Sequence, residues 1–171
     1  MFDPFDHTVY SFSDLVGVIY HPLMGNYVFT GQGVGQIAIE MDNDMTSHDF
    51  GTDGSNIISR ISVYSGKMTL QCQQMSNIHN WLMATFNAVK MGDVKEWARM
   101  TSMLRRVSDG NETYITGISF ERVPVRIYQA EGQMVDWVLW AGNIRDSVLK
   151  SDRKTLSGAL RDKIAAKAIS F

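Results

Sequence analysis

Val34-Gly-Gln-Ile-Ala-Ile-Glu-Met-Asp-Asn-Asp44 sets the architecture expected of this chain. Ile37, Ile39 and Met41 fall on one side, and Gln36, Ala38, Glu40, Asp42 and Asp44 on the other. A period of two is that of an extended strand, whose successive side chains point to opposite faces. One face is apolar and the other acidic, so the strand belongs to an antiparallel sheet with only one side covered. Just upstream, Gly31-Gln-Gly-Val-Gly35 reads as a turn or bulge between strands. Before it, Asp14–Tyr20 and Tyr27–Thr30 supply two short strands. Downstream, Thr52-Asp-Gly-Ser55 is a turn. Ile57–Tyr64 and Lys67–Gln73 then read as a hairpin closed by Ser65-Gly66, with Met68, Leu70 and Cys72 inward.

One segment changes period. Ser76 can cap a helix in which Ile78, Trp81, Leu82, Phe86 and Val89 recur at helical spacing, and Gly92 ends it. Strands resume at Ala98–Val107, turn at Asp109-Gly-Asn111 and return over Glu112–Phe120. Pro124 interrupts a strand-like stretch, which places it at an edge or bulge. Gln133–Ala141 is apolar on both faces, so it is expected to be covered on both. Thr155–Ile169 carries Leu156, Leu160, Ile164 and Ala168 on one stripe and suggests a short amphipathic helix, despite Gly158. The expected fold is mainly β: two packed antiparallel sheets, a sandwich or open barrel, with one flanking α-helix and a short C-terminal helix. Its expected core includes Ile37, Ile39, Leu70, Trp81, Phe86 and Trp137.

The chain has 171 residues, enough for one domain with a real core, and 44% of them are apolar. Its net charge of −2 argues against a surface that coats nucleic acid. The single cysteine, Cys72, excludes an internal disulfide framework and a multi-cysteine zinc site. No run of 18 apolar residues occurs and no secretory signal is visible, so a soluble chain in a reducing cytoplasm fits, without stable membrane contact. The charge is unevenly spread. Residues 1–59 hold eight acidic side chains and no Lys or Arg. The last 22 residues hold six basic groups, among them Lys154 and Arg161, against two acidic ones. These halves can attract one another between copies, or remain two solvated faces.

Catalytic and ligand-binding patterns are weak. The glycine run lacks the following helix that a phosphate loop requires. Asp42-x-Asp44-x-Thr46 opens like a calcium loop but offers Ser47 where Gly is needed and Asp53 where a bidentate Glu is needed. His7, His21, His48 and His79 have no metal-ligand spacing. Ser47-His-Asp49 places triad letters side by side, although triads assemble in space. Cys72 has no activating neighbour and reads as buried and inert. Trp97 with Arg99, Arg105 and Arg106 reads as a solvated strand edge rather than a nucleic-acid site. No enzyme, cofactor or metal is expected.

Several blocks occur together in order: Tyr10-Ser-Phe-Ser-Asp14, Leu23-Met-Gly-Asn-Tyr-Val-Phe-Thr-Gly-Gln-Gly-Val-Gly35, Met41-Asp-Asn-Asp-Met-Thr-Ser-His-Asp49 and Asp53-Gly-Ser55. Gly66-Lys-Met-Thr-Leu-Gln-Cys-Gln-Gln74, His79-Asn-Trp-Leu82 and Tyr128-Gln-Ala-Glu-Gly-Gln-Met-Val-Asp-Trp137 follow. Over roughly residues 10–145 the chain resembles the tail tube proteins of contractile-tailed bacteriophages. The resemblance implies a tail-tube-like β domain over 1–145 with an N-terminal arm, and a basic extension over 146–171. It implies hexameric rings that join their inner sheets into one barrel and stack into a tube inside a sheath. It implies further partners in baseplate and tail-terminator proteins, DNA only in transit, a place in the virion tail, and assembly in the host cytoplasm. No catalytic residues transfer.

On that reading Gln36, Glu40, Asp42 and Asp44 are lumen-facing candidates, since carboxylates repel passing phosphates. A ring-to-ring contact or plain surface stays open for the same acids. Asp49, Asp53, Arg60, Lys154 and Arg161 are inter-subunit candidates. The alternatives are a tail-terminator, baseplate hub or secretion-type ring protein. From other classes come a monomeric β-sandwich that binds a host surface through Trp97, Trp137 and Trp140, and a small hydrolase.

Overall fold

The computed structural model describes residues 11–31 and 33–147. Ten strands and one helix follow in the order β1 (Leu15–His21), β2 (Gly25–Thr30), β3 (Val34–Met41), β4 (Thr46–Phe50), β5 (Asn56–Arg60), β6 (Gly66–Gln73), α1 (Asn77–Met91), β7 (Met100–Arg106), β8 (Glu112–Phe120), β9 (Met134–Ala141) and β10 (Asn143–Ser147). The expected C-terminal helix at 155–169 lies outside the described residues.

Every strand pairing is antiparallel. One sheet runs β2-β1-β7-β8 with β10 on the far side of β8; the other runs β9-β6-β3. They are continuous through β8. Its first part pairs with β7 and β10, and its last two residues, Ser119 and Phe120, pair with Trp140 and Leu139 of β9. A strand that changes sheets must bend sharply. Here the bend falls at Gly117, whose φ of +66° is accessible to glycine at little cost.

Both sheets and α1 feed one core. Ile19, Met68, Leu70, Cys72, Leu82, Ile115, Ile118, Trp137 and Leu139 are completely buried. Leu70 and Trp137 are core residues as expected, and Ile37, Trp81 and Phe86 pack against the core while partly buried. Ile39 differs: it is 37% exposed. It does lie on the inward face, opposite the buried Met68. However, β3 is the last strand of its sheet, and the space above it opens into a cavity of about 220 Å³ between Ile37, Ile39, Leu15 and Leu104.

α1 begins and ends as its sequence dictates. Ser76 Oγ accepts from His79 N at 3.4 Å, and Gly92 N donates to the Ala88 and Val89 carbonyls. Its buried residues include Ile78, Leu82 and Val89.

Three local expectations are overturned. Ile57–Tyr64 and Lys67–Gln73 are not hairpin partners. β5 pairs backwards with β4, from Thr46↔Arg60 to Phe50↔Asn56, while β6 lies between β3 and β9. The tip at Asp53 explains this. Its carboxylate accepts from Ser55 N and Oγ at 3.0 and 2.6 Å, closing a tight turn ahead of β5. The Pro124 stretch is not a strand either; residues 121–133 run without regular pairing. Finally, β9 is covered on one face only. Val135, Trp137 and Leu139 are buried, whereas Met134 and Trp140 are 43% and 39% exposed.

Candidate functional site

The acidic strand expected over 34–44 is built only over Val34–Met41, and pairing adds what sequence could not. Gln36↔Gln71, Ala38↔Thr69 and Glu40↔Lys67 are opposite across β3 and β6. Gln71↔Asp136, Thr69↔Val138 and Lys67↔Trp140 continue the row onto β9. Paired residues share a face, so Gln36 and Glu40 stand with Lys67, Gln71 and Asp136 on the outer face of this sheet. Lys67 is its cation: its Nζ lies 4.3 Å from the Trp140 ring centroid and 3.8 Å from Glu121 Oε2. Asp42 and Asp44 are not on this strand face. They follow the end of β3, where Asp42 N donates to the Ser65 carbonyl at the base of the hairpin.

The β4–β5 hairpin projects from the body. All ten of its strand residues are exposed, including Phe50, Ile57 and Ile58 at 76%, 63% and 61%. Asp49 lies on β4 and Asp53 at the tip, where the Ser55 hydrogen bonds hold its carboxyl below the usual range. Arg60 ends β5 and donates to the Tyr64 hydroxyl at 3.3 Å. Lys154 and Arg161 lie outside the described residues. A two-stranded hairpin is marginal in water on its own, so three exposed large apolar side chains on one call for a covering surface.

The sheet also ends open. β2 is bonded only to β1 and β3 only to β6 among the described residues, so each leaves one edge unpaired. Free edges template pairing with another chain.

The ionisable groups of the interior are held in place by burial and hydrogen bonds. Leu23 N donates to His21 Nδ1, which fixes the ring proton on Nε2, in position to donate to the Glu96 carbonyl at 3.1 Å. Burial pushes the Cys72 thiol up to about 11, so it stays protonated at neutral pH. The sequence reading missed the bond between Trp137 Nε1 and His79 Nδ1, 3.1 Å long and buried. Burial, and secondarily the nearby Arg126 cation, lower the His79 pKa. The unfolded chain therefore takes up this proton first as pH falls below about 6.5. Stability is expected to decline from there until the native ring itself protonates. Urea unfolding at pH 7.5 and 5.5 checks this; His79→Gln should flatten that part of the profile.

The triad letters are not assembled. Ser47, His48 and Asp49 are consecutive on exposed β4, and the His48 ring stacks with Phe50 at 6.5 Å instead. Among the described residues no group of three His, Cys, Asp or Glu could hold a metal ion, and no helix is long and apolar enough to cross a membrane. Trp97 and Trp140 are partly exposed and Trp137 is fully buried, so the three do not form one aromatic binding surface.

Comparison with known proteins points one way. No curated protein matches the sequence. Among solved structures, the cap that terminates the tube of the anti-feeding prophage superposes with a TM-score of 0.54 at 9% identity, covering 87% of this chain and 97% of that one. The sheath-tube complex of the extracellular contractile injection system PVC gives 0.53 at 8% identity, covering 85% and 95%. The anti-feeding prophage baseplate gives 0.56 at 11% identity, covering 85% and 99%. At such identities these likenesses establish the fold, a tail-tube-like pair of sheets. Sequence establishes the kinship, since the model of the Bacteriophage PhiTE tail tube protein matches residues 7–149. With most of its length matched and the tube-like fold in place, this chain belongs to that family of bacteriophage tail tube proteins, structural components of the virion tail.

Proposed function

We propose that this chain is a tube subunit that forms hexameric rings, and that these stack into a conduit for DNA ejection within a contractile tail. The role is structural rather than catalytic. The observation that carries the reading is the pair of unpaired edges on β2 and β3, which lets neighbouring copies extend one sheet around a ring. The exposed apolar hairpin is the second contact, from one ring to the next, with Asp49, Asp53 and Arg60 at its margins and the basic residues Lys154 and Arg161 available from the tail. Contacts that repeat head to tail propagate into a filament.

The outer face of β3, β6 and β9 lines the bore in this reading, with Gln36, Glu40 and Asp136 opposed by one lysine. Repeated around a ring, these carboxylates crowd within the ~8 Å Debye length and keep DNA sliding rather than bound. Asp42 and Asp44 then guard the hairpin base rather than the strand face. The 1–145 domain with its N-terminal arm and the 146–171 extension remain the proposed division. Sheath, baseplate and terminator proteins are the proposed partners, and assembly occurs in the host cytoplasm.

The likeness to the anti-feeding prophage cap keeps one second reading in view, that of a terminator forming single rings. Electron microscopy of the concentrated protein separates them: stacked tubes are expected, and single rings point to the cap. Compact monomers at every concentration and salt would overturn both. Phe50→Asp with Ile58→Asp should abolish stacking. Both side chains are exposed, so each substitution should change unfolding free energy by no more than about 0.5 kcal/mol.

A further inference from the structure

An open cleft of about 440 Å³ runs between α1 and the 126–128 segment. Two donors at its wall have no acceptor among the described residues. Trp137 Nε1 can only donate, so His79 Nδ1 is the acceptor and the neutral ring keeps its proton on Nε2. That N–H meets no acceptor among the described residues. Arg126, an exposed guanidinium, forms no ion pair among the described residues. Around them Met75 and Tyr128 stand 87% and 82% exposed as apolar walls.

We infer that this cleft receives an acidic residue on an extended segment of a second protein. The carboxylate accepts from Arg126 and from the His79 N–H. A lone anion satisfies the two donors but covers neither Met75 nor Tyr128; a peptide supplies both a carboxylate and apolar contact. The adjoining Met75 and Tyr128 suit an apolar neighbour of the acidic residue, with Met favouring adaptable contact. The site is independent of the ring reading, since it uses neither the open edges nor the β4–β5 hairpin.

Fluorescence anisotropy tests it on the full chain, assembled or not. The probe is a fluorescein-labelled hexapeptide with two aspartates, compared with the same peptide carrying asparagines. The acidic peptide should bind about tenfold more tightly, the usual worth of one charge-assisted contact. Arg126→Gln should remove that preference with an unchanged circular dichroism spectrum. Arg122→Gln, exposed and outside the cleft lining, should leave it intact. Equal binding of the two peptides, or equal loss in both variants, would overturn the assignment. Displacement by sodium acetate at the peptide's own concentration would also overturn it, reducing the site to a simple anion hole.

Discussion

Trp137→Ala is expected to lower the unfolding free energy by about 4 kcal/mol. The indole is completely buried at the centre of an aromatic cluster. Its ring centroid lies 5.6 Å from Phe120 and 5.7 Å from His79, and Phe120 in turn meets Phe86 at 5.5 Å. Removing it leaves a cavity against β8, β9 and α1 together, where three separate elements would have to collapse to fill it. Against a typical margin of 5–15 kcal/mol, roughly half of a domain's stability would go. Trp137→Phe separates the causes. It keeps most of the apolar volume but leaves His79 Nδ1 without its donor, at a cost of about 1–2 kcal/mol. Urea denaturation of the three proteins decides the matter. A loss below 1 kcal/mol for the alanine variant would mean that the cluster is not what joins helix to sheet.

Gly66→Ala should be nearly as damaging, for a reason of backbone rather than core. Gly66 stands at the start of β6 between Met41 of β3 and Ala141 of β9. A β-carbon there would run into the carbonyl oxygen of Glu40 and come within 2.8 Å of Ile144 Cδ1. A flexible side chain could move aside, but a carbonyl in a strand ladder cannot move without unpairing β3. The expected loss is about 3 kcal/mol, in the range of overpacked interiors. Gly132→Ala is the control. Nothing lies within 4 Å of its added carbon, so it should be neutral or stabilise by a few tenths of a kcal/mol. Melting temperatures for the pair should differ by about 8 °C. Equal melting temperatures would show that β3 and β6 separate readily at this end.

What could be read from sequence was whatever is local. Ser76 and Gly92 bracket α1 because capping is a matter of adjacent backbone groups. The alternation of Ile37 and Glu40 marked a strand because pleating follows from the chain itself. Partners were another matter. Ser65-Gly66 looks like a hairpin turn from within, yet β6 finds β3 across the whole β4–β5 excursion. Ile39 reads as core because its face is right, and only the position of β3 at the end of its sheet leaves it exposed. Lys67 and Asp136 join Glu40 through register, which no window of sequence contains. His79 and Trp137 are 58 positions apart and meet only in the folded chain. Of the candidate sites, the acidic strand was legible in part, whereas the exposed hairpin and the open edges emerged only with the topology.

The placement of β1 has a consequence for the order in which the molecule can be made. Its hairpin with β2 is local, but its other neighbour is β7, so Val18 waits for Met103, roughly 85 residues further along. At ordinary ribosomal speeds of about 5–20 residues per second, that delay is on the order of 4–17 s. During this interval the nascent hairpin presents β-structure with nothing behind it. A polypeptide destined to polymerise thus spends its first seconds with an extra adhesive border, one that the finished subunit no longer possesses.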